Sequence, residues 1–385
     1  MSPPRRLRLG MIGGGQGAFI GAVHRLASRL DDQYELVAGA FSSDPARGRA
    51  SADALRVAPD RAYDTVAALI AGEKERPDAV DVVAIVTPNH LHFSAARALL
   101  EAGIPVICDK PLVTSLADAK ALHALAARTR VPFVVTHTYT GYPMVREARA
   151  LVAGGALGAV RVVQVEYAQD WLSGDLEATG HKQADWRTDP ARSGPVGAVG
   201  DIGTHAHNLA EFVSGLTVEA VAAELHSFVP GRRLDDDANM LLRLSHGARG
   251  SLWCSQVAAG VENALTIRVF GEIAGLSWRQ EHPNQLFIAS TGKPGQTLFR
   301  GGPDLSADAT RATRVPAGHP EGYLEAFGQL YTDAAELIRA WKDGRDPDPA
   351  VSILPGLDAG VRGLAFIEAV LKSSKADAAW TRLEL

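Results

Sequence analysis

An α/β fold in two parts, a doubly wound parallel sheet followed by an α/β domain with a largely antiparallel open sheet, is predicted by three features of this 385-residue chain. Short apolar runs alternate with helical periodicity over the first third, and a glycine-rich turn follows the first of those runs. Beyond about residue 140 strand-like runs succeed one another with little between them.

The apolar runs at 7–12, 34–41, 79–87, 104–110 and 131–136 read as strands, and the amphipathic stretches 92–102 and 115–130 as connecting helices. Strand, helix, strand at that spacing implies parallel pairing with helices on both faces. The later strands are expected at 160–167, 218–228, 239–244, 250–257, 265–270 and 275–279. The stretch 290–320, rich in Gly, Pro, Thr and Ala, is expected as a long loop, and helices near 321–342 and 357–373 close the chain. The domain boundary falls at 137/138: residues 1–137 form the dinucleotide-type domain, residues 138–385 a substrate and oligomerisation domain, with the last helices packing back on the first domain.

With 46% hydrophobic residues, both parts have material for a core. The net charge of −5 comes from 39 basic and 44 acidic residues interspersed along the chain, which gives no footprint for nucleic acid or a membrane surface. Two cysteines, Cys108 and Cys254, each lie in an apolar strand-like run, so no disulfide framework is expected and a reducing, cytoplasmic compartment is. Arg5-Arg6 resembles the start of an export signal, but "LRLGMIGGG" follows with no apolar segment or cleavage site.

"LGMIGGGQGAFIGAVH" has the form of a first strand, a glycine turn and a helix start. Gly13 and Gly15 supply the first two glycines of a G-x-G-x-x-G fingerprint, which lets backbone N–H groups approach a pyrophosphate at a helix N-terminus. The third position has two occupants: Ala18 at the usual spacing, or Gly21 if the loop carries three extra residues. At the end of the second strand a carboxylate selects NAD by holding ribose hydroxyls. Here Ser42 stands in that place, with Ser43 beside it and Arg47 after it, a set suited to a phosphate. Asp44 keeps a ribose contact open. The cofactor is therefore NAD or NADP, with these residues inclining to NADP.

"VICDKPL" sets Lys110 just past a strand, at the edge where doubly wound folds bind ligands. "GDIGTHAHNLAEF" sets Asp201, His205 and His207 close together. Asp201 and His205, four apart, share a helix face, while His207 is rotated about 200° from His205 and points elsewhere. One carboxylate and one imidazole leave a zinc site short of ligands, and no HExxH or CxxC spacing completes it, so no metal is expected and proton transfer is the better reading.

"TPNHLH" at 87–92, "CDKP" at 108–111, "WR" at 186–187 and "DIGTH" at 201–205 stand in the order and spacing of the Gfo/Idh/MocA oxidoreductases, which the chain resembles over nearly its whole length. The resemblance implies an N-terminal Rossmann domain, a C-terminal α/β domain whose open sheet mediates a homodimer or homotetramer, and hydride transfer between NAD(P) and a ring carbon of a sugar, glycoside or cyclitol. The family's Glu-Lys-Pro motif falls on Asp109, Lys110 and Pro111, and its Asp-x-Gly-x-His motif on Asp201, Gly203 and His205. Thr87, Pro88, Asn89 and His92 match the stretch that lines the nicotinamide side of the cofactor. Four departures from the family pattern bear on the substrate: Asp109 replaces Glu, Asn208 stands where a substrate-binding acid is frequent, "SGPVGAVGD" is less regular than usual, and the glycine loop is extended.

The implied catalytic trio is Lys110, Asp201 and His205. His205 accepts the proton of the alcohol, Lys110 stabilises the charge on its oxygen, and Asp201 orients both; which of Lys110 and His205 is the base stays open. Tyr139, Gln169, Asp170, Trp171, His181, Trp186, Arg187, Asn208 and His319 are candidate substrate contacts, since tryptophan packs on sugar faces and arginine pairs with anionic groups. Two other functions fit the same scaffold: a redox-neutral glycosidase that retains NAD, and a dinucleotide-sensing regulator.

Overall fold

A computed structural model describes residues 4–385. The chain divides into two compact units, one formed by residues up to Val113 with Ala117–Thr138 and Phe327–Gly360, the other by Thr114–Leu116, Tyr139–Ala326 and Val361–Leu385.

In the first unit, β1 (Leu7–Gly13), β2 (Tyr34–Ala40), β3 (Val82–Val86), β4 (Val106–Cys108) and β5 (Phe133–Val135) form a five-stranded sheet in the order β2-β1-β3-β4-β5. Every pairing in it is parallel. Its central strands are apolar throughout because both faces are covered: β3 is buried at all five positions. The connecting helices are α1 (Phe19–Leu30), α2 (Pro45–Ala54), α3 (Val66–Lys74), α4 (His92–Glu101) and α5 (Leu116–Thr129). Strand order reverses between β1 and β3, so the crevice beyond their carboxyl ends is the ligand position of this architecture.

The second unit contains α6 (Pro143–Ala153), β6 (Val160–Ala168), α7 (Lys182–Arg187), α8 (Pro190–Ser193), α9 (Thr204–Ser214), β7 (Val218–His226), β8 (Asp237–Leu244), β9 (Arg249–Ser255), β10 (Ala264–Gly271), β11 (Ala274–Arg279), β12 (Gln285–Ser290), β13 (Gln296–Phe299) and α10 (Ala307–Arg311). Helices α11 (Tyr323–Asp343) and α12 (Leu357–Lys375) and the short strand β14 (Thr381–Arg382) end the chain. The nine-stranded sheet runs β13-β12-β11-β10-β6-β9-β8-β7-β14 and is antiparallel except where β6 meets β9. Alternation fits one covered face: in β8, Ala238, Met240, Leu242 and Leu244 are buried while Asn239, Leu241 and Arg243 are exposed. Residues 290–320 are not one long loop. The segment opens with the β12–β13 hairpin and later forms α10, whose Ser306 side chain caps it by accepting from Ala309 N.

Candidate functional site

The site residues expected from the sequence fall into two sets, one in each unit.

In the first unit β1 ends at Gly13, whose φ of +80° and whose tight contact with Thr87, 2.8 Å from an ideal Cβ, admit only glycine. The chain then turns through Gly14, Gly15, Gln16, Gly17 and Ala18 into α1, which has no side-chain cap and no acidic residue in its first turn. Its leading N–H groups are thus left to an anion. The close helix–loop packing that defines the third glycine of the fingerprint is made by Gly21, where a Cβ would meet Gly14 Cα at 2.3 Å. Ala18 instead closes the preceding turn, its N–H donating to Gly15 O at 3.1 Å. Arg25, which the sequence reading missed, donates to Gly14 O at 2.5 Å and braces the loop.

Past β2, Ser42 Oγ accepts from Asp44 N (3.1 Å) and Asp44 caps α2 by accepting from Arg47 N (3.0 Å). Ser43 and the Arg47 side chain are exposed. Past β3, Thr87, Pro88 and Asn89 lead into α4. His92 is fully buried, its ring nitrogens lying 3.0 Å from Pro111 O and 2.9 Å from Thr87 O, so it ties the Thr87 segment to the Lys110–Pro111 segment. Burial holds its pKa below the ordinary value.

Asp109 accepts from Thr136 Oγ1 (3.0 Å) and lies 3.9 Å from His24 Nε2 at an ion-pair distance, while Tyr331 OH holds His24 Nδ1 at 2.8 Å. Burial alone would raise the Asp109 carboxyl, but His24 and the adjacent Lys110 charge outweigh it and hold it well below the usual carboxylate range. His24 gave no signal in the sequence beyond its helical spacing. The glycine cradle, the uncapped helix and their place at the strand-order reversal fit a dinucleotide. Gly13, Gly15, Gly21 and the α1 N-terminus would hold its pyrophosphate, and the ring carrying the redox chemistry would reach the Thr87 and Lys110 segments.

In the second unit the Asp201–His205 segment departs from a plain α-helix. Val199–Gly203 is a π-helical turn running into α9, a distortion that recurs at functional sites. Asp235, not anticipated from sequence, anchors this turn by accepting from Gly197 N (2.6 Å) and Val199 N (2.8 Å); burial lifts its pKa to about 6. Asp201 accepts from Gln256 Nε2 (2.9 Å) and Arg187 Nε (3.3 Å). Arg187 also bonds Gln183 and lies over the rings of Trp186 (4.2 Å) and Trp171 (6.0 Å). His205, 8% exposed, packs edge-on to Tyr139 at 4.9 Å. His207 turns the other way, as the helical offset requires. It stacks on Phe366 at 4.4 Å, with Nε2 3.4 Å from Glu211.

The remaining candidates divide. Tyr139 is buried and bonded through its hydroxyl to Tyr167, and Trp171 is half-buried with Nε1 donating to Gln169 (3.0 Å). Asp170 is spent on Gly260 N (3.1 Å). His181 is exposed and caps α7 by accepting from Ala184 N (3.3 Å). Asn208 is half-buried on α9, whereas His319 is exposed in a loop whose carbonyls bind Arg300. Among the described residues no group of three or more His, Cys, Asp or Glu side chains is arranged to hold a metal ion.

Comparison with known proteins agrees with these two halves. Residues 7–137 match the family described as an oxidoreductase family with an NAD-binding Rossmann fold, and residues 145–277 match the GFO/IDH/MocA C-terminal domain. An oxidoreductase from Sinorhizobium meliloti is 48% identical, with a TM-score of 0.89 over 98% of this chain and 99% of that one. An inositol dehydrogenase homolog from Azotobacter vinelandii, solved with NADH and myo-inositol, is 37% identical with a TM-score of 0.91 over 98% of each chain. Levoglucosan dehydrogenase of Pseudarthrobacter phenanthrenivorans is 28% identical over 97% of this chain and 98% of its own length.

Proposed function

The chain belongs to the Gfo/Idh/MocA oxidoreductases, and from that premise we propose that it moves a hydride between NAD(P) and a ring carbon of a sugar, glycoside or cyclitol. The reading is supported by a glycine cradle suited to a dinucleotide in the first unit and, in the second, by an Asp201–His205 turn anchored by Asp235, Gln256 and Arg187. The nicotinamide ring, when bound, accepts the hydride. The protein handles the rest of the balance: as the C–H bond breaks and the carbonyl forms, the hydroxyl proton passes to His205, and the Lys110 ammonium stabilises the charge on that oxygen. Asp201, fixed by Gln256 and Arg187, orients the hydroxyl. Trp171 and Trp186, both half-buried with the Arg187 guanidinium over their rings, supply indoles of the kind that pack on a sugar ring and a cation beside them.

Two finer readings accompany this. Asp44 is committed to capping α2, which leaves Ser42, Ser43 and Arg47 at the ribose end and favours a 2′-phosphate, hence NADP. The outward face of the large sheet carries Leu241, Phe270, Phe287 and Phe299, each more than 40% exposed and on one side by strand register. Such a face suits a homodimer or homotetramer. The deciding experiment is a screen of sugars and cyclitols, myo-inositol and levoglucosan included, for reduced-cofactor absorbance with NAD and with NADP. No hydride transfer from any of them would sink the dehydrogenase reading.

A further inference from the structure

Beside His205 a polar chain runs through the interior of the second unit. Tyr139 and Tyr167 are both buried, their hydroxyls are bonded to each other, and their rings lie 4.9 Å and 6.3 Å from that of His205. Tyr167 OH donates to Asn263 Oδ1 at 2.9 Å, and Gln169 Nε2 donates to the same oxygen at 2.6 Å. Gln169 Oε1 in turn accepts from Trp171 Nε1 at 3.0 Å. The β6–β10 ladder sets this arrangement, because Ala168 pairs with Ala264 and so leaves Gln169 and Asn263 facing each other just past the ends of their strands.

The chain has a direction. Indole N–H is a donor only, so Gln169 must turn its oxygen to Trp171 and its nitrogen to Asn263. Asn263 must then turn its oxygen to Gln169 and Tyr167, and that oxygen has both lone pairs filled. Burial pushes the pKa of both tyrosines up, which keeps their hydroxyls protonated. Asn263 is half-buried, and the only hydrogen-bonding capacity left to its side chain is the Nδ2 amide, a donor.

We propose that Asn263 is a specificity-determining residue that donates from Nδ2 to a hydroxyl or ether oxygen of the substrate, its orientation fixed by Gln169 and Trp171. This rests on the reading of His205 as part of a polyol site. The substrate it selects presents an acceptor oxygen there, and an ammonium in that place is rejected because donor would face donor.

Asn263→Asp is the isosteric test: the inner oxygen still accepts from Tyr167 and Gln169, while the outer group changes from donor to acceptor. Calorimetry of myo-inositol binding to the NADH-loaded protein is expected to show about tenfold weaker binding in Asn263→Asp, with NADH affinity and melting temperature unchanged. An aminodeoxyinositol should move the other way and bind the variant more tightly than the wild type. Gln169→Glu, which forces the Asn263 amide to flip, should weaken myo-inositol in the same sense. Unchanged myo-inositol affinity in Asn263→Asp, or no binding to the wild type, overturns the proposal. Turnover separates the two readings: a wild type that binds myo-inositol yet transfers no hydride from any polyol refutes the dehydrogenase while leaving the Asn263 binding result standing.

Discussion

Replacing Gly21 by alanine tests where the dinucleotide loop closes. An ideal Cβ at that position lies 2.3 Å from Gly14 Cα and 2.8 Å from Gly14 O, more than an ångström inside ordinary van der Waals contact with the α-carbon. Both clashing atoms are backbone, so no rotamer change relieves them and α1 must move away from the loop that would hold the pyrophosphate. Overpacking of this kind costs about 1–3 kcal/mol, and if that cost falls on the cofactor-competent geometry, NADH binds roughly 5- to 150-fold more weakly. Ala18→Gly is the control, since Ala18 is only a turn residue whose N–H donates to Gly15 O. It should change NADH affinity less than threefold or so. Fluorescence titration of NADH against the three proteins reads this directly. NADH affinity in Gly21→Ala equal to wild type, or a larger loss in Ala18→Gly, would refute the assignment of Gly21 as the third glycine.

Four further outcomes are expected. Lys110→Met and His205→Ala should each lower turnover by roughly 10²-fold or more with NADH still bound, whereas His207→Ala, remote in role, should keep turnover; near-normal rates in Lys110→Met remove it from the mechanism. Ser42→Asp should weaken NADPH and strengthen NADH in parallel titrations, and a wild type that already prefers NADH tenfold would show the NADP reading to be wrong. Burial pushes Glu211 up, but His207 and Arg362 outweigh it and hold its pKa at about 2. A folded value below the unfolded 4.5 means that stability is fully present above pH 4.5 and is lost as pH falls toward 2. Urea unfolding at pH 7 and pH 3 should therefore show the wild type losing up to ~2 kcal/mol more than Glu211→Gln; equal losses contradict it. Leu241→Lys on the exposed sheet face should shift the assembly toward monomer in light scattering, and an unchanged mass rejects that face as the interface.

The parallel sheet was legible because each of its strands is an apolar run set off by helical spacing, and β6 to β11 because their alternation is clean. The β12–β13 hairpin was not. Its strands, "QLFIAS" and "QTLF", are short and lie at the sheet edge, and the "TGKPG" between them has loop composition, so nothing in the residues distinguishes a hairpin from a long connection. At the candidate site, motif residues were visible one by one, but their partners were not. Gln256 reaches Asp201 from 55 positions away, Asp235 anchors the turn from 36 and 38 away, and His24 reaches Asp109 across the first unit. Such contacts depend on strand register and helix placement, which a single sequence does not encode locally. The ambiguity between Ala18 and Gly21 had the same origin: spacing counts residues, whereas the fingerprint is a matter of how closely two backbones approach.

The surroundings of His205 also bear on which group in the second unit takes the proton. Among the described residues around His205, Tyr139, Tyr167 and Asp201 carry exchangeable protons or negative charge. Burial pushes both tyrosine pKa values up, and their hydroxyls are committed to each other and to Asn263, so neither is free to become a phenolate base. Asp201 accepts hydrogen bonds from Gln256 and from the Arg187 guanidinium, an arrangement that suits it to orienting a hydroxyl. The imidazole remains, held edge-on by Tyr139 in a pocket that leaves it only 8% exposed. We therefore propose His205 as the proton acceptor among the second unit's groups, with Asp201 as orienter, and the assignment yields a distinction that activity loss alone does not. Asp201→Asn preserves the acceptor for Gln256 while removing the charge beside Arg187, so it should lower turnover yet keep the acidic limb of the rate–pH profile. His205→Gln should abolish that limb. An acidic limb that persists in His205→Gln and vanishes in Asp201→Asn would reverse the two roles.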